Sequence, residues 1–297
     1  MPDAVRSRSP QLAFRRPPGA ISVFIRAAAD QRPAALEAGA TCPRLEGRID
    51  RLTWRNGLLS RFRDICGFPS GDTLPITFPH VLAAGLHGRM LQRPEFPVRL
   101  PGLIHVWHEI SQHRPLLADE SLAMECRIEG HRMVAAGAEF CLETRVTSAG
   151  EQVWEEKTGF ISRVRKREGS KSPLGRENPP LEPRRVAAWR AGPGIGRRYA
   201  RASGDYNPIH LFNAAARRFG FPSAIAHGMW TLSRSAAELE NHQAMACRRL
   251  FVQFKRPVFI PQDLVLLAAP KTDGEVGFLV SDRAENSVFL EGVWQPS

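Results

Sequence analysis

At 297 residues, with 43% hydrophobic and 24% charged side chains, the chain has a globular composition and the length of two ordinary domains. No apolar run approaches the roughly 20 residues of a membrane span, and the Arg-rich start, broken at Arg26, lacks the pattern of a secretory leader. The net charge of +11 comes mainly from arginines scattered along the whole chain without a binding motif, so nucleic acid is not an expected partner. The charge reads either as general Arg-richness or as attraction to an acidic partner.

Residues 1–40 form an N-terminal extension, expected to be partly flexible or to add a helix over 21–29. Cys42, Cys66, Cys126, Cys141 and Cys247 are odd in number and lack CxxC spacing, which fits reduced thiols in a cytoplasm. A buried helix is predicted over 81–91, because Ala, Gly, Leu and Met occupy nearly all its faces. Extended segments follow at 103–110, 122–132, 135–147 and 152–164. His105 and His108 fall in the first of these. On a regular strand they point to opposite faces, so no metal site is expected there.

Residues 166–185 are charged, rich in Pro and Gly and almost free of apolar side chains, and read as a linker. Beyond it, residues 186–297 repeat the pattern: a small-residue helix over 224–239, then extended segments at 249–258, 264–269, 277–281 and 287–294. Gly192, Gly194 and Gly196 hint at a phosphate loop, but Pro193 intervenes and no strand–helix frame is expected around them.

Two internal matches point to a duplication. FPHVLAAGL (78–86) aligns without gaps on FPSAIAHGM (221–229), and RPLLADESL (114–122) aligns on RPVFIPQDL (256–264), in the same order and at nearly one separation. Residues 41–165 and 186–297 then become two copies of one α+β unit, each with one buried helix and four to five strands. On this alignment Gly85 matches Gly228 as an equivalent helix start and Ala84 replaces His227. Asp205 and His210 fall on Phe62 and Gly67, so the first copy lacks an acid–histidine pair.

The chemistry concentrates in Tyr199-x3-Ser203-Gly204-Asp205-x-Asn207-Pro208-Ile209-His210. Gly204 and Pro208 oppose a continuous helix through Asp205 and His210. A tight loop therefore holds both side chains and launches a helical run over 211–219, ended by Gly220. An Asp and a His on one loop can share a water and move protons both ways. On the residues alone, Asp205 reads equally as a helix cap and His210 as a satisfied loop hydrogen bond.

This string resembles the signature of the MaoC-like, or hydratase-2, family. The resemblance implies a tandem double hot dog, each antiparallel sheet wrapped around a central helix. It implies reversible syn hydration of trans-2-enoyl-CoA, or the carrier-protein thioester, to the (3R)-hydroxyacyl thioester, with no cofactor and no metal. Asp205 and His210 would handle the water and its proton, and Gly228 would offer its N–H to the thioester oxygen. Asn207, Ser203 and His227 would orient the loop or bind substrate. The acidic partner becomes the phosphates of coenzyme A or an acyl carrier protein, and the assembly a monomeric pseudo-dimer or a homodimer. A hot-dog thioesterase and a non-catalytic acyl-thioester binding protein are the competing readings, and a branched diacid such as mesaconyl-CoA is the alternative substrate.

Overall fold

The computed structural model describes residues 11–19, 23, 26, 30–163 and 182–297. The helix expected over 21–29 and residues 166–181 of the linker lie almost wholly outside them. A first strand, β1 (Gln11–Phe14), precedes one unit built from β2 (Leu45–Ile49), α1 (Leu58–Cys66), α2 (Phe78–Leu91), β3 (Leu103–Gln112), β4 (Leu122–Ile128), β5 (Arg132–Val134), β6 (Gly137–Ser148) and β7 (Glu151–Arg163). The other unit contains β8 (Arg184–Ala191), α3 (Ile195–Ser203), α4 (Pro208–Leu211), α5 (Asn213–Arg218), α6 (Gly228–Gln243), β9 (Cys247–Phe254), β10 (Gln262–Pro270), β11 (Val276–Asp282) and β12 (Val288–Pro296).

Alternation explains the sheet. Leu122, Met124, Cys126 and Ile128 of β4 are buried while the residues between them are not, so one face meets the core. The strands run β2-β4-β6-β7-β3 in one unit and β9-β12-β11-β10-β8 in the other. Antiparallel pairing of β3 with β9 joins them into one 12-stranded sheet, with β1 added parallel to β2. Helix α2, apolar on nearly all faces, packs inside the first half, and α6 packs inside the second.

Several expectations need correction. The gapless match of 78–86 on 221–229 is not a structural equivalence. Gly228 opens α6, but Gly85 lies in the middle of α2, where a Cβ would collide with the Pro18 carbonyl oxygen. The true correspondence shows in the paired bridges Thr73–Leu117 and Ile225–Phe259, and in the turn bonds Phe78 N–H to Pro75 O and Trp230 N–H to His227 O. Pro75 thus stands where His227 does, and the later match, 114–122 on 256–264, holds. Helices α1 and α3 each run between left-handed glycines, Gly57 and Gly67 in one, Gly194 and Gly204 in the other. Asp205 therefore corresponds to Phe68. The first unit runs directly from Gly67 to the bridge at Thr73, whereas the second inserts α4 and α5 before Ile225. At the place of Asp205 and His210 the first copy has no acid–histidine pair, because it lacks the whole loop.

The helical run expected over 211–219 is divided, because Phe212 is extended (φ −139, ψ 130) between α4 and α5. Strand β8 starts at Arg184, inside the expected linker. Parts of the N-terminal extension are fixed: Arg32 donates to the carbonyls of Leu91, Arg93 and Phe96 at 2.9, 2.8 and 2.7 Å, covering the end of α2. His105 and His108 do not diverge. The register of β3 slips between His105 and Trp107, and the two rings lie 5.2 Å apart.

Candidate active site

Helix α3 stops because Gly204 takes φ 78 and donates its N–H to Ala200 O. The next residues are tied by their own side chains. Ser203 Oγ donates to Tyr199 O at 2.9 Å and accepts the Asp205 N–H at 3.2 Å. Asp205 Oδ1 accepts the Asn207 N–H at 3.1 Å, and Asn207 Oδ1 accepts the Ile209 N–H at 3.4 Å, which caps α4. The cap role thus belongs to Asn207, and Asp205 keeps one carboxylate oxygen outside this turn. The side chains of Ser203 and Asn207 both bond the backbone of this loop.

His210 lies on α4, one turn beyond the cap. Its Nδ1–H donates to Ile225 O at 2.9 Å, which leaves Nε2 with a lone pair and no proton. His227 donates Nε2–H to the Asp205 backbone carbonyl at 3.0 Å, and its ring stacks on His210 with centroids 3.8 Å apart. Its Nε2 also lies 3.8 Å from Asp205 Oδ2. Asp205, His210 and His227 each present a polar atom within 4.8 Å of the others, a spacing that one shared water or a small cation spans. Gly228 opens α6, at the end where a helix's leading N–H groups have no carbonyl of a preceding turn to bond and where the helix dipole favours negative charge. The Phe254 ring edge lies 2.9 Å from where a Gly228 Cβ would be.

Two supports of this loop escaped the sequence reading. A Cβ at Gly196 would collide with the His210 carbonyl oxygen, so this glycine lets α3 meet the loop backbone directly. Contrary to expectation, the Gly192–Gly196 segment does join a strand to a helix, β8 to α3, and its last glycine serves packing. Asn213 Oδ1 accepts the Ala224 N–H at 2.9 Å and closes the loop onto the segment before α6. Neither has a local signature, since both contacts link residues distant in the chain.

Electrostatics set the protonation states. Burial pushes His210 below its ordinary value, with the Asp205 carboxylate opposing, and burial pushes His227 down to about 3. Burial opposes ionisation of Asp205, but the neighbouring imidazoles of His227 and His210 and the Asn207 N–H hold it below the usual carboxylate range. At neutral pH the loop presents a carboxylate beside a neutral imidazole.

Residues 181–285 match the MaoC like domain. The chain is 30% identical to the 3-hydroxyacyl-thioester dehydratase X of Mycobacterium tuberculosis over 258 residues, 86% of this chain and 91% of that protein. The chain belongs to the MaoC-like 3-hydroxyacyl-thioester dehydratase family. The crystal structure of HtdX of Mycobacterium tuberculosis superposes on this MaoC-like chain with a TM-score of 0.72 at 27% identity, covering 85% of this chain and 100% of that one. A MaoC-like dehydratase from Phytophthora capsici shares the double hot-dog fold, with a TM-score of 0.71 at 16% identity over 86% of this chain and 95% of its own.

Proposed function

We propose that this MaoC-like protein is a hydro-lyase that interconverts trans-2-enoyl and (3R)-hydroxyacyl thioesters, with Asp205 and His210 as its acid–base pair. The observation that carries the reading is the His210 tautomer: Nδ1–H is committed to Ile225 O, and the bare Nε2 belongs to the same small cluster as the Asp205 carboxylate. In hydration, a water held by the two loses a proton to Nε2 as its oxygen bonds Cβ. The Asp205 carboxylate stabilises the imidazolium that forms. The enolate collapses as Cα takes a proton back from the pair on the same face, and the pair returns to its starting state. Dehydration is the reverse. Pairs of this kind contribute about 10²–10⁴-fold. The Gly228 N–H supports the thioester oxygen as it becomes enolate-like, a donor worth roughly 3–4 kcal/mol in other enzymes.

No step of this chemistry calls for a cofactor. The carrier is coenzyme A or an acyl carrier protein, drawn by the positive charge of +11. One chain pairs its own units through β3 and β9, so we read it as a monomeric pseudo-dimer. The five cysteines are unpaired, which suits a reducing cytoplasm, and no helix among the described residues is long and apolar enough to cross a membrane. Crotonyl-CoA tests the function. Loss of enone absorbance without free thiol supports it. Thiol release assigns a thioesterase, and neither signal assigns a binding protein.

A further inference from the structure

A second cluster of titratable side chains lies in the first unit, outside the Asp205–His210 loop. His80 and His87 stand two turns apart on one face of α2. The slipped register of β3 brings His105 and His108 together, and β7 supplies Glu156. Glu156 is only 1% exposed. Its Oε2 lies 2.9 Å from His80 Nδ1 and 3.1 Å from His108 Nε2. Its Oε1 has no hydrogen-bond partner and lies 3.5 Å from His87 Nε2, a nitrogen that also meets the Thr144 hydroxyl at 2.8 Å. A buried carboxylate oxygen without a partner is costly. Here it is aimed at an imidazole nitrogen.

His80, His87 and Glu156 each offer a ligand atom within 4.8 Å of the other two. Ligands about 2.0–2.2 Å from a tetrahedral zinc are separated from one another by about 3.3–3.6 Å. The 3.5 Å between Glu156 Oε1 and His87 Nε2 falls in that range, and the 2.9 Å between Glu156 Oε2 and His80 Nδ1 lies somewhat below it. We propose that His80, His87 and Glu156 bind one divalent first-row cation, Zn²⁺ by its two-imidazole, one-carboxylate donor set, with the fourth position open beside His108. Outer contacts hold the neighbouring ring: His108 Nδ1 meets Thr158 Oγ1 at 3.2 Å and His105 Nε2 at 3.3 Å. The ion ties α2 to β7. The His105 ring, 4.7 Å from Phe254, links the cluster to the ring that packs on Gly228.

Full-length protein stripped by chelator and dialysed against Zn²⁺ should retain one ion per chain by elemental analysis. Co²⁺ should give the visible d–d absorption of a four-coordinate site and lose it on Zn²⁺ addition. His80→Ala and Glu156→Gln, checked for folding by circular dichroism, should abolish both signals, and Asp205→Asn and His210→Ala should keep both. His80 is the more exposed of the two ligands changed, so His80→Ala remains informative if Glu156→Gln does not fold. Wild-type protein that retains no zinc overturns the proposal. So does zinc that survives His80→Ala, or zinc lost in Asp205→Asn, which would place the ion at the Asp205–His210–His227 cluster.

Discussion

His210 depends on one hydrogen bond and one missing Cβ. The bond to Ile225 O selects the tautomer, and Gly196 lets the loop backbone approach α3. Asp205→Asn and His210→Ala should each lower turnover at least about 10²-fold with the melting temperature nearly unchanged. Steady-state rates on crotonyl-CoA with a melting curve check this. Gly196→Ala should act on the same parameter from outside the chemistry, by displacing His210. Its fall in kcat should exceed its effect on KM. The pH dependence has a defined sign. Burial lowers the His210 pKa, so the neutral base persists below the ordinary 6.5, and the acid limb of kcat/KM should lie below pH 6.5. Asp205 opposes that lowering, so in Asp205→Asn the His210 midpoint, read from ring-proton NMR, should move lower still. A midpoint that rises would contradict the assignment.

At the level of elements, two glycines that looked equivalent differ in what surrounds them. Gly228 faces Phe254 at a helix start, and Gly85 faces the Pro18 carbonyl in mid-helix. Gly228→Ala should cost turnover roughly 10²-fold through the displaced oxyanion donor, with little loss of stability. Gly85→Ala should instead cost about 1–3 kcal/mol of stability by pushing the N-terminal segment away, with turnover per folded molecule kept. Paired thermal melts and active-site-normalised rates separate the two outcomes. Near the end of α6, burial pushes Glu240 up to about 7 from 4.5, although it accepts the Cys247 N–H. Its folded form holds a proton that the unfolded chain releases, so its contribution is present below pH 4.5 and is lost as pH rises through 7. Glu240→Gln should therefore raise the melting temperature at pH 8 and leave it unchanged at pH 4.

Across the whole molecule, the units are joined by more than the sheet. Trp230 Nε1 donates to Ile65 O at 2.9 Å, the Phe62 and Tyr199 rings lie 6.3 Å apart, and one apolar cluster runs through both halves. Residues 182–297 expressed alone would expose the β9 edge and the faces of α3 and α6 that α1 covers. That fragment should be inactive or insoluble; a soluble, fully active fragment would contradict the shared core. Global stability should also fall as pH drops from 6.5 toward 3. His87 and His227 are both pushed to about 3 in the fold, so over that window the unfolded chain binds more protons.

What the sequence determined by itself was local. Gly204 and Pro208 forbid a through-helix within a few residues of backbone, so the loop holding Asp205, Asn207 and His210 was legible, as were the buried small-residue helices and the alternating strands. The repeat was legible too, through 114–122 and 256–264. Its alignment before the helices was not. Two FP strings matched by composition, while the second unit had gained α4 and α5 between the equivalent points Gly67 and Gly204 on one side and Thr73 and Ile225 on the other. That register is set by contacts between segments far apart in the chain. So are the slip in β3 that turns His105 and His108 to one side, the strand character of the Arg-rich β8, and the close approach of Gly196 to His210. Backbone preference acts over neighbouring residues and leaves a trace in composition. Register and close approach are set by partners far along the chain, and no single segment records them.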